Sequence, residues 1–164
     1  MLLIDEIDKA DTDFQDDMLD VLDQMSFDII EIDKTVRARN RPIIIITSNA
    51  KKDLSDPFLG RCVFHHIAFP DADMMDKIVH AHFPDLDKKI SEACIEAFYR
   101  LRGLKGIEKK PATRELINWI RALQCDPDFD VKTLDSGQIP YLGVLFKKSV
   151  DLNLALQQSG RARR

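Results

Sequence analysis

Residues 1–11 read MLLIDEIDKAD, and this stretch carries the first indication of the fold. Leu2, Leu3 and Ile4 form a short apolar run that ends directly on two acids, Asp5 and Glu6. Terminal residues are usually frayed and polar, so this run reads as fold interior, a buried strand aimed at paired carboxylates. At the carboxyl end of a parallel strand, side chains emerge into the crevice where open α/β sheets bind ligands. One carboxylate there can hold Mg²⁺, and its neighbour can polarise an attacking water. Taken alone, the stretch reads equally well as a strand running into a solvated acidic turn.

A second stretch, RPIIIITSNA at 41–50, bears on that choice. Pro42 marks its entry, and four consecutive isoleucines predict a strand covered on both faces, as in a parallel sheet. The run stops on Thr47, Ser48 and Asn49. If both strands end at one edge, Asn49 lies close to Asp5 and Glu6, where an amide orients a water or a phosphate oxygen without adding charge. As a strand-terminating cap, Asn49 needs no such role.

Between these strands, TDFQDDMLDVLDQM (12–25) places Phe14, Met18, Val21, Leu22 and Met25 on one helical face. Thr12 followed by Gln15 has capping-box form and predicts the helix start. FDIIEI (27–32) and TVRAR (35–39) flank Asp33-Lys34 and predict a hairpin, with a poorer turn than Asn-Gly. FHHIAF (64–69) is a third apolar segment, expected as a strand ending at Pro70. From Asp71 the pattern turns helical through DADMMDKIVHAHF, SEACIEAFYRLRGL and PATRELINWIRAL. In the first of these, Met74, Met75, Ile78, Val79 and His82 share a side. The expected organisation is α/β over 1–70 and mainly helical over 71–164. VDLNLALQQ (150–158) alternates like a strand yet is built of helix formers.

The 164 residues are 45% hydrophobic and 32% charged, with a net charge of −4. That mild acidity argues against nucleic acid or an anionic membrane as main partner. The odd, scattered cysteines Cys62, Cys94 and Cys125 fit a reducing cytosol. No apolar stretch approaches the ~20 residues that span a bilayer, and MLLI is too short for a signal peptide; the expected location is cytoplasmic. Cys62, His65, His66, His80 and His82 suggest no zinc site, because each histidine pair diverges on its element.

Together these stretches resemble the motif series of AAA+ ATPases. MLLIDEIDKAD resembles a Walker B segment and IIIITSNA a sensor 1 strand. FDIIEIDKTVRAR is similar to the hairpin inserted before sensor 1 in one branch of that superfamily. DPFLGRCVFHHIAFP resembles the segment bearing an arginine finger, and PATRELINWIRAL the sensor 2 helix of the lid. The ensemble is most similar to MoxR-like AAA+ ATPases. The resemblance implies a partial P-loop NTPase sheet with a pre-sensor-1 hairpin over 1–70, then a helical lid over 71–164. It implies ATP and Mg²⁺ as cofactors, Asp5 as the Mg²⁺-coordinating acid and Glu6 as activator of the hydrolytic water. Asn49 would hold that water and the γ-phosphate, Arg61 would be the finger acting in trans, and Arg114 would be sensor 2. Arg37, Arg39 and Arg41 compete for the finger role, and a surface ion-pair partner is the alternative account of Arg61. Implied partners are further copies in a ring, a hexamer by resemblance, a von Willebrand A-domain protein and a protein client.

The family's phosphate loop, G-x-x-x-x-G-K-[ST], is not formed by any of the six glycines. With the Walker B strand starting at residue 2, the loop is expected upstream, in a larger ATPase of which this would be a truncated piece. The piece alone is expected to bind ATP poorly and to expose sheet edges and apolar faces. The alternative is a non-catalytic module retaining the oligomer surface and lid. A clamp-loader-like role, prompted by GRC at 60–62, lacks the basic face it would need.

Overall fold

The computed structural model describes residues 1–50, 52–135 and 139–161. The chain is α/β and divides into two compact units, Met1–Ile67 and Ala68–Arg164.

The first unit begins with β1 (Leu2–Ile4), a 3-10 turn (Ile7–Lys9) and α1 (Thr12–Gln24). β2 (Ser26–Ile29) and β3 (Lys34–Arg37) follow, then β4 (Ile44–Ile46) and the single-turn α2 (Asp56–Leu59). β1 and β4 pair in parallel with Leu3 opposite Ile45. The pairing runs on past the strands, because the Thr47 N–H donates to the Ile4 carbonyl at 2.9 Å and the Ile7 N–H to the Thr47 carbonyl at 3.0 Å. The chain ends of both strands therefore meet at one edge.

One face of this two-stranded sheet lies on a small core of Ile7, Leu19 and Phe58, joined by Ile4, Met18, Ile46 and Leu54. The other face is open. Ile43 is 72% exposed, Leu3 59% and Ile45 46%, so the isoleucine run is covered on one face rather than two. The uninterrupted run misled because strict alternation, the signal of a half-exposed strand, is absent from it.

Three further expectations change. α1 is capped by Asp11, whose side chain accepts from the Phe14 N–H at 3.1 Å, and not by a Thr12–Gln15 box; Gln15 turns inward and is buried. Phe14 lies outside the buried face, which centres on Gln15 and Leu19. β2 and β3 do form an antiparallel hairpin, with Ile29 opposite Lys34. Its connection is the four residues Ile30–Asp33, and Asp33 takes the left-handed conformation that Asp tolerates better than most residues. Finally, residues 63–70 form no strand. No neighbouring edge accepts them, and Val63, Phe64 and Ile67 stand in solvent.

The second unit comprises α3 (Ala72–His82), α4 (Lys88–Arg102), α5 (Thr113–Gln124), α6 (Leu142–Leu145) and α7 (Ser149–Arg161). Side-chain caps from Asp71 and Asp87 start the first two helices. Met75 and Val79 of α3, Phe98 and Leu101 of α4, and Leu116, Trp119 and Ile120 of α5 interdigitate in a continuous core. Met74 and His82 of α3 turn outward. The ambiguous 150–158 stretch is helical, because Asp151 and Ala155, one turn apart, are both fully buried. The basic loop between α4 and α5 is held by that buried Asp151 carboxylate, which accepts from the Glu108 N–H at 2.8 Å and the Lys109 N–H at 3.0 Å. Gly106 makes the loop possible: its φ is 86°, and a Cβ would meet Leu154 at 3.2 Å.

Candidate functional site

The parallel pairing of β1 with β4 brings Asp5, Glu6 and Asn49 together. Glu6 leaves β1 in the left-handed conformation, with φ 54° and ψ 50°. For a residue with a Cβ this costs about 1–3 kcal/mol. Two hydrogen bonds offset it: the Glu6 N–H donates to Thr47 Oγ1 at 3.0 Å, and the Lys9 N–H donates to the Glu6 carbonyl at 3.0 Å. Across the edge, Ala50 is also left-handed, at φ 53°. Strained residues thus flank both loops that carry the polar cluster.

The side chains form a connected set. Asn49 Nδ2 donates to Glu6 Oε1 at 2.5 Å. The other Glu6 oxygen, Oε2, is ion-paired with Lys9 Nζ. That pairing follows from the 3-10 turn, in which residues three apart eclipse one another. By hydrogen bond and charge, Glu6 holds the Lys9 ammonium above the ordinary lysine range. Thr47 Oγ1 donates to Asp5 Oδ1 while accepting the Glu6 N–H. Beneath the loop, the buried Asp8 carboxylate accepts from the Asn49 backbone N–H at 3.1 Å.

Thr47, Asp8 and Lys9 were not singled out by sequence pattern. The i, i+3 spacing of Glu6 and Lys9 was a usable signal, and Thr47 sits in the same polar TSN cluster as Asn49. Asp8 gave none, because an acid in an acidic segment is ordinarily solvated.

Arg61 belongs to the same unit but is engaged elsewhere. Its Nε and one terminal nitrogen both lie 2.9 Å from Asp23 Oδ2 on α1, and its other terminal nitrogen donates to the Pro57 carbonyl at 3.0 Å. Its hydrogen bond to the Asp23 carboxylate raises its pKa further. Arg37 ends β3, and Arg39 and Arg41 follow it, all exposed. Arg114 is exposed in the first turn of α5, in the second unit. A cation there opposes the positive end of the helix dipole, so helix stability does not explain it. Glu115 supplies the favourable charge, its carboxylate accepting from the Ala112 N–H at 3.0 Å.

The oxygen donors fit a hard cation. Asp5 is exposed, and one of its oxygens is oriented by Thr47. Mg²⁺ is characteristically held by one or two carboxylates together with water and substrate phosphates. Among the described residues, no group of three or more His, Cys, Asp or Glu side chains converges into a metal cage. No protein-family model matches the chain, and no curated protein matches it. No helix among the described residues is long and apolar enough to cross a membrane.

Proposed function

We propose that this chain carries the Walker B-to-lid portion of a MoxR-like AAA+ ATPase. The observation that supports this most directly is the meeting of Asp5, Glu6 and Asn49 at the ends of two parallel strands, with the Asn49 amide on the Glu6 carboxylate at 2.5 Å. Strain at Glu6 and Ala50 adds weight, since such residues collect at active sites.

In this reading Asp5, with one oxygen oriented by Thr47, would hold the cation, and Glu6 would take the proton of the attacking water. Asn49, whose amide lies on Glu6, would orient that water. The Glu6 carboxylate takes one contact on each oxygen, from Asn49 and Lys9, which leaves a lone pair on each for the proton. ATP with Mg²⁺ supplies the transferable phosphoryl group and neutralises its charge. The 164 residues contain no G-x-x-x-x-G-K-[ST], so turnover needs a phosphate loop from outside them. The partners this reading brings are further copies in a ring, a hexamer by resemblance, a von Willebrand A-domain protein and a protein client. The setting it implies is cytoplasmic.

The deciding experiment extends the chain with the coding sequence immediately upstream and measures Mg²⁺-dependent ATP hydrolysis. Hydrolysis that disappears in Glu6→Gln supports the reading, and a folded protein without it overturns the reading. The 164 residues alone should show no saturable ATP site at micromolar concentration by calorimetry, because the amides and lysine that cradle the phosphates are missing.

One observation favours a second reading, an interaction module without turnover. Ile43, Val63, Phe64 and Ile67 are each largely exposed in the first unit, and exposed apolar side chains, where they adjoin, mark binding surfaces. Capture of a partner by a Glu6→Gln form as well as by the unaltered protein, with no hydrolysis in either, would favour it.

A further inference from the structure

We propose that Asp8 is a positioning residue that sets the Asn49 amide against Glu6, an inference that rests on the ATPase reading for its catalytic consequence. Asp8 lies in the 3-10 turn directly after Glu6 and is 1% exposed. Burying a carboxylate is costly unless hydrogen bonds compensate it. Packing does not require an acid here, since its neighbour Ile7 fills the adjoining core at 2% exposure. The acid provides a charge-assisted acceptor for the Asn49 N–H, 41 residues away in sequence.

The loop after β4 is thereby joined to the turn after β1 at two of its residues, Thr47 and Asn49. The Thr47 carbonyl accepts from the Ile7 N–H at 3.0 Å, and Asp8 fixes Asn49 two residues later. With the Thr47 contacts alone, the chain pivots about Thr47 and the Asn49 side chain is free to swing. With both, the side chain is directed at Glu6 Oε1. The result is a closed circuit: Glu6 to the Asn49 amide, Asn49 backbone to Asp8, and Asp8 through two peptide units back to Glu6. A single short turn carries both the catalytic carboxylate and the group that aims its partner.

Two measurements test this. In the 164-residue chain, NMR should detect a coupling through the hydrogen bond between the Asn49 backbone nitrogen and the Asp8 carboxyl carbon. The Asn49 side-chain NH₂ signals of Asp8→Ala should move to the positions they take in Glu6→Ala, where their acceptor is gone. Asp8→Asn, which keeps an acceptor oxygen, should restore them in large part. In the upstream-extended protein, Asp8→Ala should lower kcat roughly 10–100-fold, the range seen when a supporting partner is lost, with KM little changed. Adding Asp8→Ala to Asn49→Ala should cost nothing further, because both act through one contact. Unmoved Asn49 signals, a missing coupling in the unaltered chain, or multiplying kcat losses each overturn the positioning role. An unaltered extended protein that folds without hydrolysing ATP overturns the ATPase reading and the kinetic consequence with it. The NMR measurements then decide the Asn49–Glu6 arrangement independently.

Discussion

Asn49 and Glu6 lie 43 residues apart in sequence, yet the Asn49 side chain donates to Glu6 Oε1 at 2.5 Å. The parallel register of β1 with β4 makes this meeting possible, and Thr47 reinforces it by bonding both Asp5 and the Glu6 backbone. The two adjacent acids are thus held differently. Asp5 is exposed with one oxygen oriented, whereas each Glu6 oxygen takes a contact.

If the ATPase reading holds, that difference predicts separable roles in the upstream-extended protein. Glu6→Gln keeps shape and hydrogen bonding but removes the charge that accepts a proton. Turnover should fall by roughly 10²–10⁴ while nucleotide affinity holds. Asp5→Asn should instead raise the Mg²⁺ concentration needed for nucleotide binding. Metal titrations of binding and of rate distinguish the two, and identical changes in both variants would refute the division.

Asp151 gives a stability prediction for the second unit. Its fully buried carboxylate accepts from two backbone N–H groups, those of Glu108 and Lys109. Asp151→Ala should cost about 2–4 kcal/mol, because two backbone N–H groups lose a charged acceptor at once. Asp151→Asn, with a single acceptor oxygen, should fall between. Urea unfolding followed by fluorescence of the one tryptophan reports this unit specifically, since Trp119 is fully buried and donates from Nε1 to the Pro140 carbonyl at 2.8 Å.

Cys94 should mark the same unit by its silence. Burial in α4 pushes its thiol up to about 12, and the thiolate is the reactive form. Near pH 8, a thiol reagent should therefore label exposed Cys125 and leave Cys94 untouched until the unit unfolds. The linkage has a definite sign. The folded thiol holds its proton more tightly than the unfolded one, whose ordinary value is 9.0. Its contribution is therefore fully present below pH 9 and is lost as the pH rises from there toward 12. Over that window stability should fall by about 1.4 kcal/mol per pH unit more than in Cys94→Ala.

The parts of the fold readable in the sequence were those whose signals are local. α3, α4 and α5 announce themselves by apolar residues at helical spacing, and β1 and β4 by apolar runs that stop on polar clusters. What escaped depends on neighbours. FHHIAF has strand composition, but a strand needs an edge to pair with, and composition does not supply one. Phe14 fits a helical face, but only the packing of α1 on Ile7 and Phe58 selects Leu19 over it. The candidate site follows the same division. Asp5, Glu6 and Asn49 were accessible because strand ends are visible in the pattern. Asp8 was not, because its burial is a property of the assembled turn.

Arg61 offers the sharpest remaining test of the proposed ring. Its guanidinium is held by Asp23 of its own unit, and this exposed pair is worth little to stability. If Arg61 acts across a subunit interface, it must leave Asp23 to do so. Asp23→Ala should then preserve or raise turnover in the extended protein, whereas Arg61→Ala should lower it by roughly 10³–10⁵ with nucleotide affinity nearly unchanged. Mixing separates action in trans from action in cis. Arg61→Ala subunits retain Glu6, and Glu6→Gln subunits retain Arg61. A ring of head-to-tail contacts built from both contains some interfaces with each group intact. Partial activity in the mixture, from parents that are each inactive, assigns Arg61 to its neighbour's site. Mixed rings that form and remain as inactive as their parents rule this out and return the finger role to Arg37, Arg39 or Arg41, which are exposed within and beyond β3.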